Sequence, residues 1–546
     1  MSQRPNPPQR PFPDLIGQAF DSTWRGQHFD LSDQNHPTTF EVDVAIIGSG
    51  AGGGTVARLL AEAGLKTLVI EEGPLYTARD FQLDERQAYG ELYQEAAGRK
   101  TRDKAISILQ GRAVGGSTLV NWTSSFRTPR PTLDHWQKEW GWDFATPEAM
   151  EPWFKAAEQR HSVAAWPFPP NANNDALALG LTRTGRQAHG VPRNVRGCWN
   201  LGTCGLGCPT NAKQSTLVAC LPQALDRGGI LLSRARVERL VRQGDRINEV
   251  RLRPMDRKGQ PIATAEEVTV RARGVVLAAG AIGSPAVLLR SDLPDPHKRV
   301  GMRTFLHPVV LSGAIFDRPI EGFYGAPQTI YSDDFVWPKD GSAGFKLEVP
   351  PTHPLISSIV MAGHGKAHRQ HMAQLDRLHI QIALLRDGFH PESSGGQVRL
   401  DKHGYPEVDY PISDYLWQGM RRALHVMAEL QFAAGAKEVR PVHTDAHSAR
   451  TLDEAKKMID ALPMRALHTR VVSAHVMGGC ALSPDPQRGV ARLDGRHHHL
   501  ENLWIADGSI FPTSIGANPQ LSIYSFAGRI AAGVATALGG TTIPTS

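Results

Sequence analysis

Two rhythms of apolar and polar positions run along this chain. Val42 to Ile47 (VDVAII) is a short apolar, β-branched run that predicts a buried parallel strand. Gly48, Gly50 and Gly53 follow as G-x-G-x-x-G, then a small-residue helix over Thr55 to Ala63 and a second strand over Thr67 to Ile70, closed by Glu71. Residues 230 to 290 alternate again. They predict strands over Ile230–Leu232, Val237–Arg242, Asn248–Leu252 and Glu267–Val270, then an apolar strand Gly274–Gly280 running into a helix over Ser284–Arg290. Ile412 to Gly435 carries helical periodicity, as does Gln520 to Leu538 after the apolar run Leu503–Ala506. A strand–turn–helix start and later apolar strands ending in small residues indicate an α/β fold, with one sheet assembled from distant segments.

The first unit carries a physical task. Its glycines permit a tight turn and let backbone N–H groups approach a pyrophosphate at a helix N-terminus. Glu71, 18 residues after Gly53, can accept hydrogen bonds from a ribose 2′-OH and would repel a 2′-phosphate. The turn itself leaves FAD and NAD equally open. A second Gly-rich stretch, Leu109 to Asn121 (LQGRAVGGSTLVN), offers unhindered backbone donors where a flat ring could lie close.

Composition narrows the function classes. At 546 residues the chain is too long for one compact core. Hydrophobic content of 41%, charged content of 21% and a mean hydropathy of −0.30 describe a globular protein. Sixty basic residues nearly balance 54 acidic ones, giving +6 without a Lys/Arg block, so nucleic acid is not implied. The Pro-rich N-terminal stretch lacks the apolar core of a secretion signal, and no run of 18 apolar residues occurs. The expectation is a cytoplasmic or membrane-peripheral protein, periplasmic only if exported with a partner.

Cys198, Cys204 and Cys208 lie among Gly202, Gly205, Gly207 and Pro209. Glycines around closely spaced thiols free the backbone to wrap a cluster; a zinc site lacking its fourth ligand, a disulfide plus a free thiol, and packed thiols are the competing readings. Cys220 and Cys480 read as packed residues. Among 22 histidines, residue type alone singles out none; His497–His499 read as a surface loop.

Four separated motifs, spread over residues 41 to 537, resemble the glucose–methanol–choline family of flavoprotein oxidoreductases. They are the nucleotide turn, Gly111–Asn121, Gly280–Ser291, and the pair His475–Cys480 with Asp507 through Asn518. Two departures stand out: an aromatic falls one position late, at Phe126, and Asp292 replaces a usual Gly. The resemblance implies FAD and a Rossmann-like FAD-binding domain built from 41–300 and 465–546. An insertion over 140–220 would carry the cysteines, an α+β substrate-binding domain would span 301–464, and an irregular arm would cover 1–40, with Phe20 to Trp24 as its anchor. Asp134 to Trp142, rich in aromatics, is expected at an interdomain surface.

By the same resemblance Glu71 binds the adenosine ribose and Val237 holds the adenine through its backbone. Arg112, Gly115, Gly116, Ser117 and Asn121 lie along the ring and ribityl chain, and Asp507 and Gly508 face the pyrophosphate side. His475 matches the active-site base and Asn518 its partner. Alcohol oxidation needs a base for the hydroxyl proton while the flavin takes the hydride; a neutral imidazole with an ordinary pKa of ~6.5 suits the first task. An amide beside it can donate to a developing alkoxide. The segment Met361 to Arg386 and the helix ending Ala434-Gly435-Ala436 look closest to the long-chain alcohol oxidase branch, which points to primary aliphatic alcohols. The cysteine spacing instead resembles bacterial FAD-dependent glucose dehydrogenases, whose three cysteines hold a three-iron (3Fe-4S) cluster. Oxygen, a quinone and a redox partner subunit therefore stand as acceptors, with a sugar or polyol dehydrogenase and a flavin-containing hydroxynitrile lyase as alternative activities.

Overall fold

The computed structural model describes residues 27–33 and 35–544. The Phe20–Trp24 anchor lies outside the described residues. Strand Thr39–Ile47 is the axis of the first sheet, pairing in parallel with Thr67–Ile70 on one side and Val268–Leu277 on the other. Beyond Thr67–Ile70 come Ile230–Ser233 and then Gln27–Asp30, both parallel. The expected irregular arm thus ends in an edge strand. Its sequence, QHFD, has no apolar run, because an edge strand is recruited through backbone hydrogen bonds rather than side-chain burial.

Val268–Leu277 also departs from expectation, being one strand where two were foreseen. Its first part pairs antiparallel with the hairpin strand Arg246–Pro254, while Val275–Leu277 pairs in parallel with Leu503–Ile505. The alternating start and the continuous apolar end reflect these two environments. The motif helix Ala51–Glu62 crosses from Thr39–Ile47 to Thr67–Ile70. Outside it lies helix Gln520–Leu538, whose apolar window has mean hydropathy 1.3 and is 67% buried. By length and composition this helix could cross a bilayer; here it is the core helix, packed between the motif helix and helix Pro147–Arg160.

The second sheet is largely antiparallel, in the order Ile106–Ile108, Val471–Ser473, Val309–Ile315, Leu378–Leu385, Phe345–Glu348, Ile330–Ser332 and His189–Gly190. Helix Asp414–Ala433 covers one face, and its buried Leu416, Met420, Leu424 and Met427 fall on one side of the helix. A small four-stranded sheet, including Met302–Phe305 and Met477–Gly478, joins the two halves.

The stretch 140–220 is not a self-contained insertion. Helix Pro147–Arg160 packs on the C-terminal helix, whereas helix Ala172–Arg183 packs on Asp414–Ala433 of the other half. The aromatic stretch 134–142 faces both ways: His135 lies 4.8 Å from the Phe389 ring and Trp140 5.0 Å from the Arg303 guanidinium, both in 301–464, while Trp136 and Trp142 sit in the core of the first half. Trp136 is fully buried, stacks on Phe511 with ring centroids 5.2 Å apart, and donates its Nε1–H to Thr513 Oγ1 at 2.7 Å. Trp136→Ala removes that volume and leaves Thr513 without its donor. A loss of about 3–5 kcal/mol is expected, read from the urea midpoint.

Candidate active site

The motif strand delivers its turn against two other segments. Gly48 has a left-handed φ of +100°, and a Cβ there would sit 2.2 Å from the Ala278 carbonyl oxygen. Gly52, outside the G-x-G-x-x-G positions, is packed tighter: a Cβ would lie 1.8 Å from the carbonyl oxygen of Ala506. The helix therefore begins with its backbone pressed on the C-terminal segment. Its N-cap, Gly50, supplies no side-chain cap, and Gly50 to Gly52 line a cavity of about 530 Å³.

That cavity gathers most of the sequence-predicted residues. Gly48, Gly50, Glu71, Arg112, Gly116, Ser117, Asn121, Val237, Asp507, Gly508, His475 and Asn518 all line it. Gly53 and Gly115 do not: a Cβ on Gly53 would meet the Gly48 carbonyl at 1.8 Å, and Gly115 donates its N–H to Ser49 Oγ at 2.9 Å. Both shape the turn from behind. The donor set fits a dinucleotide, with an uncapped helix N-terminus for a pyrophosphate and a buried acid nearby.

The two acids are already engaged by the protein. Glu71 accepts from Ser49 N–H, Ser49 Oγ and Gly73 N–H. Asp507 accepts from Ser284 Oγ at 2.5 Å and from the N–H groups of Gly280 and Ser509, each at 2.8 Å. Burial raises the pKa of both carboxyls, and the hydrogen bonds pull the other way. Asp507 thus ties the C-terminal turn to the N-terminus of helix Gly280–Arg290.

His475 presents its ring to the same cavity. Its Nδ1 lies 3.0 Å from Nδ1 of His307, while among the described residues its Nε2 makes no hydrogen bond. Burial, reinforced by the Lys346 cation, lowers the His475 pKa to about 4, so the ring is neutral near pH 7. His307 is fully buried at a left-handed φ of 47°, a strained conformation for a non-glycine. Asp387 holds it there, accepting from the N–H groups of Leu306 and His307 at 3.2 and 3.4 Å and from Tyr410 Oη at 2.6 Å.

Asn518 donates its Nδ2–H to Glu348 Oε2 at 3.2 Å. Glu348 is fully buried, which pushes its carboxyl up to about 7 despite the neighbouring Lys346 cation. Lys346 stands two residues earlier on the same strand, paired with Asp333 at 2.5 Å and placed 3.8 Å from the Tyr331 ring centroid and 3.9 Å from that of Phe126. Sequence reading missed His307, Lys346 and Glu348. The only available signal was charged residues at i and i+2 inside an apolar strand, FKLE.

His497 stays outside the cavity, its pKa lowered to about 3 by burial. Of the readings left open for the cysteines, the cluster finds no support in the structure. Among the described residues, no three His, Cys, Asp or Glu side chains converge to hold a metal. Cys198, Cys204 and Cys208 are free thiols. Protein N–H groups approach their sulfurs: Asn200 N–H to Cys198 at 3.4 Å, Arg193 Nη2–H to Cys204 at 3.6 Å, Lys213 N–H to Cys208 at 3.5 Å.

Comparison with known proteins decides the family. Two sequence profiles, each described as GMC oxidoreductase, match residues 89–309 and 391–527. An uncharacterized GMC-type oxidoreductase of Mycobacterium tuberculosis is 33% identical over 498 residues, covering 91% of this chain and 76% of the relative. The chain belongs to the GMC oxidoreductase family. It is accordingly an FAD-dependent oxidoreductase with the two-domain GMC architecture. Long-chain-alcohol oxidase FAO4A of Arabidopsis thaliana is 27% identical over 538 residues, covering 93% of this chain and 72% of the relative. Formate oxidase of Aspergillus oryzae superposes with a TM-score of 0.68 at 15% identity, over 92% of this chain and 99% of that one. Pyridoxine 4-oxidase from Mesorbium loti gives 0.63 at 17% identity, over 90% and 98%. These two solved structures share the GMC fold.

In this GMC chain the approach of Gly52 to Ala506 joins the cofactor turn to the C-terminal segment. Gly52→Ala must push the motif helix off the C-terminal segment. The expected outcome is soluble protein with its flavin absorbance largely lost, checked by the ratio of visible to ultraviolet absorbance.

Proposed function

We propose that this enzyme oxidises a primary, long-chain aliphatic alcohol to the aldehyde, with His475 as the base. The observation that carries the reading is the free Nε2 of His475 in the cavity that holds the nucleotide turn, with its Nδ1 fixed on His307. Two facing Nδ1 atoms can share one proton. When His475 carries it and donates to His307, its Nε2 is left unprotonated and able to accept the alcohol proton. In that arrangement His307 orients the base through its Nδ1. The flavin, when bound, supplies the acceptor for the hydride.

Asn518 has two amide hydrogens, one spent on Glu348. The other is available to the alkoxide oxygen as charge develops. Glu348, fixed on a strand, holds that amide, which favours orientation over adaptability. The remaining assignments follow the family pattern: Glu71 and Val237 toward the adenosine, Gly116, Ser117 and Asn121 along the ring system. Relatives named long-chain-alcohol oxidases support the substrate class and oxygen as the acceptor.

The decisive experiment is anaerobic mixing with a long-chain primary alcohol. Bleaching of the flavin absorbance, with aldehyde formed, is expected; an unchanged spectrum across alcohols of all chain lengths defeats the reading. His475→Ala should keep its flavin and lose at least ~100-fold in turnover. His307→Ala should retain flavin and lose roughly ten- to a hundredfold, because the ring then loses the partner that orients it. The depressed His475 pKa delays protonation, so the base form is lost only as pH falls through about 4. The acid limb of kcat/KM should therefore lie well below pH ~6.5. Lys346→Met removes one of the two causes of that depression and should move the limb upward, as measured from pH–rate profiles.

A further inference from the structure

The cysteine segment, which the proposed chemistry leaves unused, contains two buried cations with no acid to pair them. Arg193 and Lys213 are 1% and 2% exposed. Among the described residues neither pairs with a carboxylate; Arg193 Nη2 donates to Cys204 Sγ at 3.6 Å, and their other hydrogen bonds go to carbonyls and a hydroxyl. Lys213 Nζ donates to the carbonyls of Leu119, Asn121 and Cys204 at 2.9, 2.6 and 2.6 Å. Arg193 donates to Thr123 Oγ1 at 2.7 Å, Trp122 O at 2.9 Å and Pro327 O at 2.5 Å, and lies 4.9 Å from the Trp166 ring centroid. Burial lowers the pKa of both groups, that of Lys213 to about 8; the nearby Cys204 thiol pulls the other way on both, and the Arg193 cation lowers Lys213 further.

The residues they grip are the wall of the cavity. Asn121, Trp122 and Thr123 line it, and Thr123 is held at a left-handed φ of 65°. Asn121 Nδ2 donates to Gln520 Oε1 at 2.6 Å, which joins this wall to the segment carrying Asn518. A buried cation without a carboxylate partner is costly, and one held by carbonyls, a hydroxyl and a thiol remains open to a nearby anion.

We infer that Arg193 and Lys213 form a cationic bracket behind residues 119–123 that stabilises the negative charge the flavin gains on reduction. In the proposed reaction the carbinol C–H bond breaks and its electron pair moves with the hydride to the flavin, forming a new N–H bond. The alcohol's O–H proton goes to His475. The alcohol is oxidised to the aldehyde and the neutral ring is reduced, gaining one negative charge. The two cations act through the wall as positioning and tuning groups and touch neither substrate nor proton. The thiol-lined segment serves to bury them.

The inference rests on flavin occupying the cavity, and the test separates the two. Purified wild-type holoenzyme is titrated anaerobically against reference dyes to give the flavin midpoint potential. A potential above that of free FAD is expected; one equal to or below it overturns the bracket even when Lys213 variants fail to fold. Lys213→Met should shift the reduction equilibrium at least tenfold toward oxidised flavin, about 30 mV for two electrons. Lys213→Arg should restore most of that shift, and Arg193→Met should repeat it. A bound flavin whose potential is unmoved in Lys213→Met overturns the bracket alone. Wild-type protein with no flavin spectrum overturns the cofactor reading and the bracket together.

Discussion

The contact on which the rest of this molecule depends is a backbone-to-backbone approach between Gly52 and the carbonyl of Ala506. It forces the motif helix and the C-terminal segment to share one position. Because Asp507, Gly508 and Asn518 follow on that same segment, the contact sets their distance from the nucleotide turn. Ser284 and Gly280 brace the arrangement through Asp507, so two remote stretches meet at one buried carboxylate directly beside the residue the motif helix presses on. No side chain could perform this joining as tightly, since any Cβ at Gly52 would occupy the space of the partner oxygen.

Around that frame the enzyme accumulates buried charge on the substrate side. Lys346 and Glu348 alternate on one strand with two phenylalanine- and leucine-type neighbours, and both are essentially inaccessible to solvent. Lys346 is compensated by Asp333 and by two aromatic faces, Glu348 only by an amide hydrogen and the cation beside it. Such groups contribute little to folding and are retained where geometry matters more than stability. The same reasoning covers His307, whose left-handed backbone is maintained by a fully buried aspartate.

The nucleotide turn, the motif helix and the C-terminal helix were legible in the residues, because each depends on local periodicity or glycine geometry. Helix Gln520–Leu538 has the bounds its apolar pattern predicts. Legibility failed where pairing is non-local. Gln27–Asp30 joins a sheet through its backbone, and Val268–Leu277 looked like two strands because its halves face different neighbours. In the site, His475 and Asn518 were reached through family motifs, while His307, Lys346 and Glu348 were not. Lys346 and Glu348 are two charged residues within one short strand and His307 a polar residue just before another, and only the folded chain shows what they touch. The cysteine spacing misled for the same reason: closeness in sequence did not bring three sulfurs to one point.

The double pairing of Val268–Leu277 carries a consequence for how the protein is made. While the ribosome is still extending the chain beyond residue 300, the lower half of that strand has no neighbour on its outer side, since Leu503–Ile505 is not yet synthesised. The nascent nucleotide-binding half must wait with an exposed apolar edge until some two hundred further residues emerge. Assembly of the two halves is therefore coupled and late, a slow closure of the kind that long-range strand pairing imposes. Chaperone occupancy during translation is best placed over that unfinished edge.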